Sequence, residues 1–200
     1  MRLSGKTAFI TGGTSGIGLA TVEAFIEHGA MVGCTARRAE GVDAVVARLG
    51  ERCAGVVADA GDDATMAAAL ATTAEASGGI DIVFANADHY VHTPMGDTSR
   101  EALERQFTVV TNTFMTVQLS LQHLRDGASI ILMGSVYATM GPPAAGAYGA
   151  SKAATSALAR SLASELSPLG IRVNVVVPGA IDTPSWGMDG LAPDLRHKRK

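Results

Sequence analysis

The stretch that decides the fold reads Thr11-Gly12-Gly13-Thr14-Ser15-Gly16-Ile17-Gly18. It follows an apolar, β-branched run at 7–11 and opens a helical pattern at 17–28. Glycines at such a junction let the backbone turn tightly and let a pyrophosphate approach without a Cβ in the way. The helix that follows offers unpaired N–H groups and the positive end of its dipole to the phosphates. The spacing is not the commonest dinucleotide fingerprint, so a plain strand–helix turn remains the alternative.

The rest of the chain repeats this alternation of short apolar runs and longer helical patterns. The predicted strands are 7–11, 31–35, 55–58, 80–85, 129–133 and 171–177, and the predicted helices are 17–28, 41–49, 63–76, 100–124 and 148–166. Strands separated by helices indicate an α/β protein with a Rossmann-type, doubly wound parallel sheet in a three-layer α/β/α arrangement. We expect residues 1–200 to form a single dinucleotide-binding and catalytic domain.

Composition excludes several classes of protein. The net charge of -3 argues against broad nucleic-acid binding, and no apolar run reaches the length of a membrane span. Cys34 and Cys53 each lie in an apolar run, so we interpret them as buried thiols in a reducing compartment rather than a disulfide or a metal site. His89, Tyr90 and His92 follow the fourth strand and could line a binding pocket, but two histidines are too few to predict a metal ion. We therefore expect a cytoplasmic protein without metal, nucleic-acid or membrane partners.

The end of the second predicted strand bears on the choice of cofactor. A carboxylate there holds the adenosine ribose hydroxyls, whereas an arginine suits a 2′-phosphate. The sequence has Arg37 and Arg38 and no acid until Glu40. This predicts a preference for NADP over NAD, and the alternative is two solvated arginines in a loop.

A second constellation indicates proton chemistry. Tyr148 and Lys152 are four residues apart at the start of a helix, so both lie on one face. A neighbouring ammonium, and then the positive ring of a bound nicotinamide, favour the phenolate and are expected to lower the pKa of Tyr148 towards a useful range. Ser135 ends the fifth predicted strand, at the carboxyl edge where such sheets bind ligands, and its hydroxyl could orient a substrate oxygen towards Tyr148.

With these motifs in the right order, the chain resembles the classical short-chain dehydrogenases/reductases over nearly all of residues 3–187. The family's catalytic serine, asparagine, tyrosine and lysine match Ser135, Asn112, Tyr148 and Lys152. Its cofactor-binding positions match Gly12, Thr14, Ser15, Gly16, Ile17, Gly18, Asp59, Ala60, Asn86, Ala87, Pro178, Gly179, Ile181 and Thr183. Arg37, Arg38, Tyr148 and Lys152 complete the predicted cofactor site.

The resemblance implies a hydride transfer between NADP or NAD and a carbonyl/alcohol substrate. Tyr148 would be the general acid in reduction and the general base in oxidation, with Ser135 polarising the carbonyl. Lys152 would hold the nicotinamide ribose, and Asn112 would hold a water that relays protons to solvent. Asn86 would line the same ribose, Asp59 would contact the adenine, and Ile181 and Thr183 would meet the carboxamide and phosphates.

Two departures from the family qualify this reading. Asp88 stands where the family has a glycine beside the nicotinamide ribose, and its carboxylate could crowd the cofactor or attract the oxidised ring. Aspartate tolerates a left-handed backbone, so the turn itself is expected to survive. The family's seventh strand has no counterpart among residues 185–200, so the C-terminal end is shortened relative to the family. Either the sequence lacks its end or a linking segment, or the protein is a shortened member.

We expect a homodimer through the two long helices, from Arg100 to Leu124 and from Tyr148 to Leu166, which form one of the family's interfaces. Trp186 and Met188 stand where a substrate lid should begin, so they either line the pocket or pack in a surface loop. The basic run 196–200 is interpreted as a solvated tail, and the alternative is a binding patch. Two alternatives to the redox enzyme remain. One is a dinucleotide-binding module with little turnover, and the other is a lyase or epimerase with a tightly held nicotinamide.

Overall fold

Six parallel strands form one sheet in the computed structural model, which describes residues 1–184. The strands are β1 (Thr7–Thr11), β2 (Met31–Ala36), β3 (Cys53–Val57), β4 (Ile80–Ala85), β5 (Leu124–Met133) and β6 (Arg172–Val176). Their order across the sheet is β3-β2-β1-β4-β5-β6. The chain therefore winds outward from β1 in one direction and from β4 in the other. This confirms the predicted doubly wound Rossmann-type sheet.

Helices cover both faces of the sheet. They are α1 (Gly16–Glu27), α2 (Ala39–Leu49), α3 (Asp63–Ser77), α4 (Arg100–Ser120), the short α5 (Tyr137–Met140) and α6 (Gly146–Leu166). Alternate residues of a strand point to opposite faces. In β1, Ile10 packs with α1 and α2 while Phe9 packs with α3, α4 and α6, and both side chains are fully buried. These two apolar layers hold the strand ends that build the site.

The predicted boundaries shift most around β5. The helix predicted to end at 124 stops at Ser120, and β5 begins at Leu124 rather than at Ser129. The pairing of β4 with β5 is irregular between Ile80 and Ile82, and Gly127 has a left-handed φ of 75°. A bulged, polar strand entry does not show the apolar period that identifies strands in a sequence. At its other end β5 stops at Met133, the predicted residue, so Ser135 lies two residues beyond the strand.

Asp81 is the centre of a partly buried cluster of charged side chains. It lies in β4 with its side chain 11% exposed, and it pairs with Lys6 Nζ at 2.8 Å and with Arg125. Burial raises the pKa of this carboxyl, but the hydrogen bonds from Lys6 and the Thr7 N–H and the charge of Arg125 outweigh it, so the pKa is lowered. The cluster ties the entries of β1, β4 and β5 together at the edge opposite the site.

The two cysteines meet on neighbouring strands as buried free thiols, with their Sγ atoms 3.9 Å apart. Cys34 also packs beneath the glycine turn, because a Cβ on Gly13 would lie 2.6 Å from its Cβ. Contact with Cys53 and burial raise the pKa of the Cys34 thiol. Both cysteines therefore pack as small apolar side chains, as predicted.

Some sequence predictions fall outside the described residues. These concern Trp186, Met188, the basic run 196–200 and the question of a seventh strand. Within residues 1–184, no helix is long and apolar enough to cross a bilayer, and no group of three metal-ligating side chains converges.

Candidate active site

The site lies where the winding of the sheet reverses, between β1 and β4. The carboxyl ends of β1, β4 and β5 meet there. The glycine turn follows β1, the segment from Asn86 to Ser99 follows β4, and Ser135 follows β5. Ligands of doubly wound sheets bind at this crevice.

The glycine turn needs its glycines. Gly12 and Gly16 have left-handed φ values of 67° and 52°, which cost side-chain-bearing residues energy. A Cβ on Gly18 would lie 2.1 Å from the Gly12 carbonyl oxygen, so α1 approaches the turn too closely for any larger residue. The Gly13 N–H donates to the Thr35 carbonyl at 3.0 Å, which fixes the turn against β2.

The N-terminus of α1 suits an anion. Ser15 is its N-cap residue but accepts no hydrogen bond with its side chain, and the first turn carries no acid. By contrast, the side chains of Asp62 and Ser99 cap α3 and α4. An uncapped helix start after a glycine turn presents N–H donors and a positive dipole end, so these residues fit a dinucleotide phosphate.

Arg37 and Arg38 lie at the rim of this turn. They follow β2 directly, and Arg38 is the N-cap residue of α2. The first turn of α2 contacts the glycine turn, because a Cβ on Gly41 would lie 3.5 Å from Thr14 Oγ1. Both arginines are exposed, and within residues 1–184 neither lies within 4 Å of a carboxylate.

Asn86 joins the ends of β1 and β4. Its Nδ2 donates to the carbonyls of Thr11 at 2.9 Å and Gly12 at 3.3 Å. Thr11 Oγ1 accepts the N–H groups of Asn86 at 3.0 Å and Ala87 at 2.9 Å. The reversal point of the sheet is thus held by side chains as well as by strand pairing.

The predicted Asn112 lies in a narrow cleft with Thr11, Ala60 and Ala87. Its backbone carbonyl accepts from Thr116 Oγ1 at 2.8 Å inside α4. Asp59, predicted to meet the adenine, is exposed and accepts the Gly61 N–H at 3.0 Å. Asn112 therefore shares the crevice, while its proposed relay to Lys152 stays a prediction.

Tyr148 and Ser135 are brought together by close packing of α5 on α6. A Cβ on Gly149 would lie 2.7 Å from the Tyr137 carbonyl oxygen, so a glycine is needed next to Tyr148. Ser135 Oγ accepts the Tyr137 N–H at 3.2 Å. Beyond β5, the N–H of Val136 donates to the Pro178 carbonyl at 3.0 Å, which docks the predicted Pro178–Gly179 segment beside the serine.

Two other predicted residues follow that segment. Thr183 lies over the glycine turn, since a Cβ on Gly16 would meet its side chain at 3.3 Å. Ile181 is 45% exposed. Thr183 therefore lies beside the glycine turn, and its contact with a phosphate stays a prediction.

Lys152 is almost fully buried, with 1% of its side chain exposed. Its Nζ donates to the Met133 carbonyl at 2.7 Å and pairs with Asp88 Oδ2 at 2.9 Å. The same Asp88 oxygen accepts from Tyr148 Oη at 3.2 Å. One carboxylate oxygen thus touches both members of the predicted pair.

In the chain without nucleotide, the pKa of Tyr148 is raised rather than lowered. Burial raises the pKa of this phenol above its ordinary value, and the Asp88 carboxylate raises it further, while the hydrogen bond with Ser135 opposes them. Lys152 is paired with Asp88, and this carboxylate offsets the effect of the ammonium on the phenol. The spacing of Tyr148 and Lys152 gave no indication of the Asp88 carboxylate that contacts both side chains.

Asp88 also differs from the expectation for its backbone. Among residues 1–184, Ala144 alone combines a side chain with a left-handed φ. Position 88 therefore needs neither a glycine nor the tolerance of aspartate, and the residue acts here through its carboxylate.

Aromatic rings and a buried amide complete the site. Tyr90 and Tyr137 pack edge-on against Tyr148, with ring centroids 5.3 and 5.8 Å away. The buried Gln106 of α4 holds the segment after β4, accepting the Val91 N–H at 2.7 Å and donating to Ser151 Oγ at 3.3 Å. Neither Tyr137 nor Gln106 was predicted. The only signal for Tyr137 was its place two residues after Ser135, and Gln106 gave none.

His89 does not behave as a pocket or metal residue. Its Nε2 lies 2.8 Å from the Arg105 carbonyl oxygen, so the ring is directed towards α4. His92 is exposed. Of the three residues singled out after β4, Tyr90 is the one that borders Tyr148.

Comparison with known proteins identifies the family of the chain. The family model for short chain dehydrogenase matches residues 6–190. The chain is 43% identical to the oxidoreductase asL5 of Sarocladium schorii, covering 91% of this chain and 74% of that protein. It is 38% identical to an NADP-dependent (R)-specific alcohol dehydrogenase of Lentilactobacillus kefiri, covering 92% and 76%.

A solved structure gives the same result at the level of the fold. The chain superposes on a short chain dehydrogenase of Burkholderia cenocepacia in complex with NADP, with a TM-score of 0.86 and 36% identity over 92% of this chain and 78% of that one. The glycine turn, the reversal point and the Ser135, Tyr148 and Lys152 positions lie within the matched region. The chain belongs to the short-chain dehydrogenase/reductase family of NAD(P)-dependent oxidoreductases.

Proposed function

We propose that the protein interconverts a small or medium-sized carbonyl compound and its alcohol, with NADP as the preferred cofactor and Tyr148 as the proton donor and acceptor. The observation that carries this proposal is the position of the Tyr148 hydroxyl. It lies at the reversal point of the sheet, beside Ser135 and the buried ammonium of Lys152, on the side where the glycine turn would hold a dinucleotide.

In this proposal each residue has a defined task. The bound cofactor supplies or accepts the hydride at the carbonyl carbon. Tyr148 Oη gives its proton to the carbonyl oxygen in reduction and takes it back in oxidation. Ser135 Oγ donates a hydrogen bond to the same oxygen and orients it. Lys152 holds the nicotinamide ribose, and Asn112 relays protons to solvent.

The test is an NADPH-consumption assay with ketones of increasing bulk. The panel includes aryl alkyl ketones, cyclic ketones and ketoses, since Tyr90 and Tyr137 give the site an aromatic border. NADPH loss matched by alcohol formation supports the proposal. Saturable NADPH binding without any turnover would favour a binding module. Chemical change without net redox change, on a nicotinamide that stays bound, would favour a lyase or epimerase.

The preference for NADP is carried by Arg37 and Arg38. A guanidinium pairs with a 2′-phosphate through charge-assisted hydrogen bonds, each contributing about 1.5–3 kcal/mol. We expect Arg37→Ala combined with Arg38→Ala to raise the Kd for NADPH by about tenfold or more, and the Kd for NADH by less than about twofold. Fluorescence titration of each cofactor measures both values.

Arg52→Ala is the matched control, because this arginine is exposed beyond α2 and is not expected to meet the cofactor. Tighter binding of NADH than NADPH by the unaltered protein, or an NADPH preference that survives the double change, would contradict the assignment.

We also propose a homodimer through α4 and α6. Leu103, Phe107 and Phe114 form an apolar stripe along α4, and they are 42%, 38% and 42% exposed. Their spacing keeps them on one face of the helix. Several outward positions of α6 carry small residues, among them Ala153, Ala157 and Ser161, which would let a second copy approach closely.

Charging the stripe should therefore separate the subunits. Phe107→Glu with Phe114→Glu is expected to give a particle of half the unaltered mass in light scattering at micromolar concentration, because two carboxylates per copy would be buried without partners. Phe107→Leu with Phe114→Leu keeps the stripe apolar and should leave the mass unchanged. An unaltered chain that is already monomeric would refute the dimer.

Two coarser predictions belong with this proposal. A cytoplasmic location is supported by the two free thiols, whose Sγ atoms lie 3.9 Å apart. A single domain is supported by the one sheet to which all six strands belong.

A further inference from the structure

The Asp88 carboxylate is held firmly at the centre of the site. Its Oδ1 accepts the His89 N–H at 2.8 Å, and its Oδ2 accepts from Lys152 Nζ and Tyr148 Oη at 2.9 and 3.2 Å. Its side chain is 21% exposed. Both oxygens therefore have partners, which fixes the orientation of the carboxylate towards α6.

The backbone around Asp88 is held equally well. Two residues earlier, Asn86 is bonded to Thr11 and Gly12 across the reversal point. Three residues later, the Val91 N–H donates to the buried Gln106, whose Nε2 also donates to the His89 carbonyl at 3.2 Å. The carboxylate position is thus set by contacts on both sides rather than by the lysine alone.

The charged and titratable groups around Tyr148 are few. Asp88 and Tyr90 face it from the segment after β4, Tyr137 faces it from α5, and Lys152 lies one turn along α6 with Nζ 5.6 Å from the ring centroid. His89 is directed away, towards Arg105. Asp88 is the one carboxylate in this set, and it also cancels the charge of Lys152.

A carboxylate in this position has a definite effect on the phenol. It accepts a hydrogen bond that only the protonated phenol can donate, and it repels a phenolate. Its pairing with Lys152 removes the positive charge that would otherwise stabilise the phenolate. Both effects act in the same direction and favour a Tyr148 that keeps its proton.

We propose that Asp88 is a positioning residue that keeps Tyr148 protonated, so that the site is set for proton donation to a carbonyl. This rests on the proposed function, in which Tyr148 transfers the proton. Proton donation in reduction needs the phenol, and its rate falls as pH rises through the pKa of Tyr148. Proton removal in oxidation needs the phenolate, and its rate rises through the same pKa. Removing the Asp88 charge therefore shifts the pH dependence of both rates to lower pH.

The experiment is a spectroscopic titration of tyrosinate in the chain without nucleotide. The chain has three tyrosines, so subtracting the curve of Tyr148→Phe isolates Tyr148. Asp88→Asn keeps the size and removes the charge, and Asp88→Gly removes the side chain at a position with an ordinary φ. Asp126→Asn, an exposed aspartate near the opposite end of β5, is the control. Circular dichroism at each pH marks the folded range.

We expect the Tyr148 transition to lie at least about one pH unit lower in Asp88→Asn and Asp88→Gly, a tenfold change in proton concentration, and to be unmoved in Asp126→Asn. The pH at which the rate of alcohol oxidation rises should move by the same amount. Coincident curves, including curves without a Tyr148 transition below the unfolding pH, would overturn the proposal. If Tyr148→Phe keeps full turnover, the proposed function fails instead, while the titration still decides the role of Asp88.

Discussion

Replacing Tyr148 by phenylalanine is expected to lower kcat/KM for carbonyl reduction by about a hundredfold to ten-thousandfold, the usual contribution of a positioned acid or base. The change removes the one atom that would give its proton to the carbonyl oxygen. It leaves the ring in its edge-on contacts with Tyr90 and Tyr137. Steady-state rates of NADPH consumption measure the effect.

The control for this variant is cofactor binding by the same preparation. The Tyr148 hydroxyl is one of many predicted cofactor contacts, and its hydrogen bond in the structure is to Asp88 rather than to the glycine turn. NADPH affinity should therefore stay within a few-fold of the unaltered chain, and the circular dichroism spectrum should not change. A variant that turns over at the original rate would exclude Tyr148 as the proton donor.

Replacing Gly18 by alanine is expected to weaken NADPH binding by more than about tenfold. The added Cβ would lie 2.1 Å from the Gly12 carbonyl oxygen and 2.6 Å from Asn86 Nδ2. The Gly12 carbonyl belongs to the backbone and cannot move aside alone, so the turn or α1 must shift. Such a shift lowers the free energy of unfolding by about 1–3 kcal/mol. A shifted turn loses the alignment of its N–H groups on the phosphates.

Gly146→Ala is the matched control for Gly18→Ala. Its Cβ would meet no atom within 4 Å, and its φ is not left-handed. It also lies at the start of a helix, so the same substitution there should leave NADPH affinity and thermal stability unchanged or slightly improved. Equal NADPH affinities for the two variants would show that the turn does not hold the cofactor.

The fold could be predicted because its determinants are local. The glycine turn is contained in eight consecutive residues. Each strand is recognisable as a short apolar run between two segments with the periodicity of a helix. Tyr148 and Lys152 are one helical turn apart, so their common face follows from spacing alone. The entry of β5 escaped prediction because Arg125, Asp126 and Gly127 interrupt the apolar pattern.

The electrostatics of the site depend on contacts between distant parts of the sequence. Asp88 and Tyr148 are 60 residues apart in the sequence. The residues around them give no indication that one carboxylate oxygen contacts both Tyr148 and Lys152. Asp81 is a similar case, since its partner Lys6 lies 75 residues away. The sequence predicts which groups carry the chemistry, while the direction of the Tyr148 pKa shift depends on their arrangement in space.

The most direct test of the central claim is to follow the hydride itself. The chain is incubated with NADPH carrying deuterium at C4 of the nicotinamide, in each of its two configurations, and with the ketone that supports the fastest turnover. We expect one of the two deuterated cofactors to give an alcohol with one deuterium on the carbinol carbon. Tyr148→Phe should form almost none of this alcohol. Alcohol without deuterium from either configuration, or none above the enzyme-free control for any ketone in the panel, would contradict it.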